Sequence, residues 1–282
     1  MVQNQDKFGA WRKTADGGGQ TETEVKYGKT TEQSWMSWKE KEVDVLMVVD
    51  TGWQDPVNVN QPCLQNAGKM TAQMKALWGG MASRMSTIQG YKAKRGWKGG
   101  AAIATQEHLK PSAGRVVKDT RGCGRYVITE LVGANGCTVS MVAWYMPTRS
   151  LSGAWSRQLQ MLQTLRQELM WKQAQSRELT EKETRLWTLL EAGTVNPKEL
   201  LMWDVEEDLR LLGSEYVIIG GDFNTTPPDL AMARSSKHVK AEDVKDTEQV
   251  KAFCERVGLT EPYRAMGHDV VPQTWQGRGQ RE

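Results

Sequence analysis

Asp222 and Asn224 stand two positions apart at the end of an apolar run, Tyr216-Val217-Ile218-Ile219, from which Gly220-Gly221 separates them. Hydrolytic chemistry asks for an oriented water and a group that takes or gives a proton. On an extended chain this spacing puts the carboxylate and the carboxamide on one side, with Phe223 pointing the other way into the core. That holds an acid and an amide together at the lip of a sheet. A strand end closed by an Asx-type turn is the plain alternative, since both residues favour turns. A second carboxylate, Asp50, ends another apolar run, Val43 to Val49, and is followed by Thr51-Gly52. Tyr145 ends a third, Thr138 to Tyr145, just before Pro147. Of the three histidines, His108 and His238 lie in polar surroundings and read as surface residues, and His268 precedes Asp269 in a loop-like stretch.

These residues need strands to carry them. The β-branched run Tyr216–Ile219 is too short for a helix and reads as a buried core strand. Val43 to Val49, Gly99 to Thr105, Arg125 to Val132 and Thr138 to Tyr145 read as further strands. The last two are joined by Gly133-Ala134-Asn135-Gly136, whose Asn-Gly pair signals a hairpin. Helical spacing appears over Thr31 to Glu42 and over Asn66 to Thr87, where Met70, Met74, Leu77, Met81 and Met85 recur every three or four residues. That methionine stripe reads as core packing. Leu159, Leu162, Leu165 and Leu169 mark a helix from about Ala154. Thr180 with Glu183 is a capping box for a second, and Asn196-Pro197 opens a third that Gly213 ends. Asp243 to Val257 is a fourth, stopped by Gly258.

The 282 residues are 39% hydrophobic and 25% charged, as in a polar globular chain of one large or two small domains. A net charge of +3 gives no argument of its own for nucleic acid. Cys63, Cys123, Cys137 and Cys254 are scattered without a C-x-x-C pair, which excludes a zinc-ribbon or disulfide framework and predicts reduced thiols. Met1 to Gly19 lacks the apolar core of a signal peptide, and no apolar run approaches the length of a membrane span. The expectation is an intracellular protein, nuclear or cytoplasmic, with no membrane partner. Residues 1–30, with Gly17-Gly18-Gly19, form a weak N-terminal segment, and 31–282 read as one domain. Tyr91-Lys92-Ala93-Lys94-Arg95-Gly96-Trp97-Lys98 mixes cations and aromatics; it suits either a solvated loop or a nucleic-acid grip. Strands and helices mix irregularly, so the sheets are expected to be mixed.

Gly221-Asp222-Phe223-Asn224 after an apolar strand resembles the signature of the endonuclease/exonuclease/phosphatase superfamily. Four further segments resemble it in the right order: Val43–Thr51, Arg95–Ile103, Trp144-Tyr145-Met146-Pro147, and Gly258–Arg264 with Gln273-Thr274-Trp275. The Tyr-x-Pro-Thr and Thr-Trp strings are most similar to endonuclease domains of non-LTR retrotransposons. The resemblance implies a four-layer α/β sandwich, two mixed sheets packed face to face with helices outside. It implies a Mg²⁺- or Mn²⁺-dependent phosphodiester hydrolase acting on DNA. Asp50 would be the metal ligand, Asp222 would activate water, Asn224 would position it, and Tyr145 would bind the phosphate or leaving group. Several positions depart from the family. Gln20 stands where an asparagine metal ligand is expected, Asp50 replaces a glutamate, and Thr148 stands where the nuclease branch often has asparagine. Helical sequence is inserted near 168–196. The family's final Ser-Asp-His motif does not occur before Glu282, so a sheet incomplete at the C-terminus, with an exposed apolar edge, is expected. Two other functions remain open: a non-catalytic retroelement-derived copy that at most binds nucleic acid, and a small-molecule or lipid phosphatase.

Overall fold

The computed structural model describes residues 2–3, 44–49, 84–88, 91–93, 96–98, 100–105, 108–109, 113–148, 153–191, 193, 195–225 and 241–260. In chain order the strands are β1 (Val2–Gln3), β2 (Val45–Val49), β3 (Arg84–Ile88), β4 (Tyr91–Ala93), β5 (Gly96–Lys98) and β6 (Ala101–Thr105). They continue as β7 (Ala113–Lys118), β8 (Tyr126–Val132), β9 (Thr138–Tyr145) and β10 (Tyr216–Asp222). The helices are α1 (Gly153–Ala174), α2 (Glu181–Glu191), α3 (Pro197–Leu212) and α4 (Ala241–Arg256). The chain divides into two compact units, Met1–Phe223 and Asn224–Glu282, and the second contains α4.

The first unit holds two mixed sheets, so the class is α/β. One has the order β1-β2-β6-β3, with only the β1–β2 pair parallel. The other has the order β10-β9-β8-β7, with only β10–β9 parallel. The short strands β4 and β5 pair with each other. In the central strand β6 every residue is buried, and four of the five are Ala or Ile. Val49, Ala101 and Ile103 of the first sheet share one apolar core with Val127, Met141 and Ala143 of the second. Each buried Val, Ile or Met side chain contributes about 1.5–3 kcal/mol of transfer free energy.

Period-2 alternation sends the other set of side chains in β8 and β9, including Tyr126, Ser140 and Trp144, to the opposite face. Helix α3 lies there: Tyr126 Oη donates to Asp208 Oδ2 at 2.6 Å, and Ser140 Oγ bonds Ser214 Oγ, just past the helix end, at 2.8 Å. Asn196 caps α3 by accepting from Lys198 N and Glu199 N, while Glu199 accepts from Asn196 N. Gly213 ends it in the left-handed conformation, φ 65°. Thr180 and Glu183 form the same reciprocal cap on α2. Helices α1 to α3 join through Leu162, Leu169, Leu186, Leu190 and Leu200. Leu159, expected on this stripe, is exposed. No helix among the described residues is long and apolar enough to cross a membrane.

Four sequence expectations change. Residues 84–88, read as the end of a methionine-striped helix, form β3 and pair with β6. Tyr91–Ala93 and Gly96–Lys98, in a stretch read as a loop, form the β4–β5 pair, with Tyr91 opposite Lys98 and Lys92 opposite Trp97. Strand β7 was not foreseen. β10 is an edge strand and not a buried one, with Tyr216 59% and Ile218 51% exposed. In the second unit α4 buries Phe253 and half-buries Val250 and Cys254, the face expected to turn inward.

Candidate active site

The parallel pairing of β10 with β9 runs without interruption from Tyr216 opposite Val139 to Asp222 opposite Tyr145. Paired residues share a face of a sheet, so Asp222 and Tyr145 are neighbours on one face where the two strands end. Both are half-buried. Met146 N donates to Asp222 O at 2.8 Å, extending the ladder one step past the strand. Tyr145 packs against the core shared by the two sheets, so Asp222 also sits on the side facing the first sheet.

The glycine pair explains how β10 fits. A Cβ on Gly220 would lie 2.6 Å from Met47 Sδ, so the strand passes directly over β2 of the other sheet. A Cβ on Gly221 would lie 1.8 Å from the Trp144 carbonyl oxygen and 2.7 Å from its Cδ1. Phe223 then turns to the helix side and meets the Trp144 ring edge-on, centroids 4.9 Å apart and planes at 78°. Phe223 thus points away from Asp222, but it is half-buried on the helix side and is not part of the core between the sheets. The extended alternation stops there, because Asn224 has φ 45°, in the left-handed region where asparagine is tolerated. Asn224 opens the second unit.

Sequence reasoning missed Arg125. The β8–β9 register places Tyr126 opposite Trp144, so the residue before β8 falls opposite Tyr145. Tyr145 N donates to Arg125 O at 2.7 Å, and the buried Arg125 guanidinium lies over the Tyr145 ring, Cζ 4.9 Å from its centroid. A cation over an aromatic face is attracted by its quadrupole. The only local signal was a basic residue opening a predicted strand, and nothing in the spacing tied it to Tyr145.

The loop before Arg125 is held by buried acids. Asp119 accepts from Arg121 N at 2.9 Å and from Arg125 N at 3.0 Å. The Arg121 guanidinium donates to both oxygens of Asp204 in α3, at 2.5 and 2.6 Å. Burial pushes the Asp119, Asp204 and Asp208 carboxyls above their ordinary range, against the pull of these bonds. The same burial, with the bond to Asp208, pushes the Tyr126 phenol up. Cys123, on this loop, is likewise raised, chiefly by burial, so it is not a poised thiolate.

Asp50, Gln20, His238 and His268 lie outside the described residues. His108 is a surface residue, 3.1 Å from Asp44 with both side chains more than half exposed. Cys123, Cys137 and Cys254 are free thiols. Among the described residues no group of three or more His, Cys, Asp or Glu side chains is placed to hold a metal ion. A scan against protein-family models finds no match to this chain, and a search of curated proteins finds no significant match.

Proposed function

We propose that the chain is a divalent-metal-dependent phosphodiester hydrolase of endonuclease type, acting on DNA. The observation that supports it is the register of β9 and β10, which pairs Asp222 with Tyr145 at one strand end, with the Arg125 guanidinium over the tyrosine ring. An acid, a hydroxyl donor and a positive charge at one strand end are the groups that attack on a phosphodiester requires. The four-layer sandwich belongs to this reading. It is supported by the core common to both sheets and by α3 on the outer face of one.

The donor set has the chemistry of a hard, oxygen-binding cation: the candidates are carboxylates, a phenol and carboxamides, with no thiolate–imidazole cluster among the described residues. Mg²⁺ keeps several waters and takes one or two carboxylates plus substrate phosphate, so a cage of three acids is not required. Asp50, and Gln20 if it replaces the family's asparagine, would hold the ion. When bound, it would neutralise charge on the phosphate.

Asp222 takes a proton from the attacking water as its oxygen bonds to phosphorus. The bridging P–O bond opposite breaks, its electron pair leaves with the bridging oxygen, and that oxygen is protonated by solvent water. Tyr145 Oη donates a hydrogen bond to a phosphate or leaving-group oxygen. Arg125 adds positive charge beside the developing negative charge.

The test is nicking of supercoiled plasmid by the full chain in Mg²⁺ or Mn²⁺, compared with Asp222→Ala. Nicking by the wild type and its loss in the variant are expected. Equal activity in both, or none in either, overturns the proposal. DNA retained without cleavage in a gel-shift assay would point to the binding module, and phosphate release from inositol phosphates without nicking would point to a phosphatase.

A further inference from the structure

We propose that Asp119 is a positioning residue for the candidate site, clamping the loop backbone so that Arg125 holds Tyr145 in place. The role rests on the hydrolase reading above, but the geometry is independent of it. Asp119 is buried at the exit of β7, and both its carboxylate oxygens are committed to main-chain N–H groups, Oδ1 to Arg121 and Oδ2 to Arg125. Its own backbone closes the same loop: Asp119 N donates to Tyr126 O at 3.3 Å, and Gly122 N to Asp119 O at 3.4 Å. The loop passes through two left-handed glycines, Gly122 (φ 67°) and Gly124 (φ 61°). Such a turn has little preference of its own and needs a fixed acceptor to define it. Its last residue, Arg125, contacts Tyr145 twice, through its carbonyl to the Tyr145 N–H and through its guanidinium to the ring face. Asp119 therefore acts on Tyr145 through Arg125. Arg121, clamped by the same carboxylate, anchors the loop to α3 at Asp204.

Asparagine at 119 keeps one acceptor oxygen and turns an NH₂ group toward the other N–H, so one of the two clamps is lost at nearly constant volume. A displacement of order 1 Å in a catalytic group costs up to about 100-fold in rate, so Asp119→Asn is expected to lower kcat about 10- to 100-fold with KM little changed. Arg125→Gln is expected to lower kcat at least as far. The double variant Asp119→Asn/Arg125→Gln should lose less than the product of the two single losses, because part of the Asp119 effect reaches Tyr145 through the Arg125 guanidinium that the second change removes. Losses that multiply overturn the positioning role, as does wild-type kcat in Asp119→Asn.

A second readout does not depend on turnover. Amide exchange measured by NMR is expected to be faster at Tyr145 in Asp119→Asn, with amides in the α1–α2 core unchanged. Unchanged exchange at Tyr145 overturns the inference. If wild type fails to nick while Tyr145 exchange responds, the hydrolase reading fails and the Asp119–Tyr145 coupling stands. If Asp119→Asn does not fold, Asp119→Glu, which keeps both oxygens on a stem one methylene longer, takes its place in both measurements with the same expected directions and the same overturning results.

Discussion

Replacing Gly221 by alanine should separate the ends of β9 and β10, whereas the same change at Gly220 should be tolerated. The difference lies in what each new methyl group meets. At Gly221 the added Cβ falls 1.8 Å from the Trp144 carbonyl oxygen and 2.8 Å from its carbonyl carbon, both main-chain atoms of the paired strand. The backbone there has φ 154°, which side chains rarely adopt. Ordinary contact needs a separation about 1.5 Å larger, and a ladder bond stretched that far is no longer a hydrogen bond. At stake are the last rungs between the strands and the Met146 N to Asp222 O bond. Two or three backbone bonds lost at about 1–3 kcal/mol each give roughly 2–9 kcal/mol, against a total stability of about 5–15 kcal/mol for a typical domain. At Gly220 the nearest atom is Met47 Sδ, at 2.6 Å, the end of a flexible side chain. Overpacking of this kind costs about 1–3 kcal/mol. Urea unfolding followed by circular dichroism measures both. A Gly221→Ala variant within about 1 kcal/mol of wild type, or more stable than Gly220→Ala, would refute the strand contact on which the Asp222–Tyr145 pairing depends.

Tyr126→Phe removes the 2.6 Å donor to Asp208 and leaves that buried acid without it; the expected loss is about 1–3 kcal/mol in urea unfolding, and a loss below a few tenths would show that the bond does not link β8 to α3. The acids also set a pH dependence of two signs. Glu207 is held below its ordinary 4.5, first by the Arg185 hydrogen bond, so its contribution is present above pH 4.5 and is lost as pH falls through the depressed folded value. The stability gap between wild type and Glu207→Gln should accordingly be largest near neutrality and shrink in acid; a gap that widens in acid contradicts the ion pair. Asp208 is raised by burial, so its contribution runs the other way, falling as pH rises above 3.8. Asp208→Asn should flatten that part of the stability–pH curve in titration-monitored unfolding, and an unflattened curve would show that Asp208 is not the group responsible.

What could be read from the sequence was what local chemistry decides. The Asn135-Gly136 turn, the Thr180/Glu183 capping box, the Asn196-Pro197 helix start and the Gly213 stop each depend on neighbours within a few residues, and each is present. The strands read from β-branched alternation, β8 and β9, also form. The misses are decided at long range. Met81 and Met85 continue a helical period, yet Arg84–Ile88 is claimed by pairing with β6. β7 is interrupted by Gly114, whose Cβ would lie 2.7 Å from Glu130 Oε2, and its register shifts between Ala113 and Val116, which removes the alternation that would reveal it. The composition of β10 suggested burial because apolar content does not distinguish a central strand from an edge.

Asp222 was legible as a candidate because it ends its own strand, but its neighbour was not, since spacing along a chain cannot give the register of a parallel pair. The same holds on the other side of Tyr145, where the β8–β9 hairpin brings Arg125 alongside. Once the register is fixed, the polar groups behind the sheet acquire a purpose beyond stability. Buried ion pairs such as Arg121–Asp204 often add less than apolar packing of equal volume would. Their cost is visible here in carboxyls pushed upward by burial. A network that adds little to stability, yet runs from α3 through one loop to the residue stacked on Tyr145, is better explained by what it holds still than by what it stabilises.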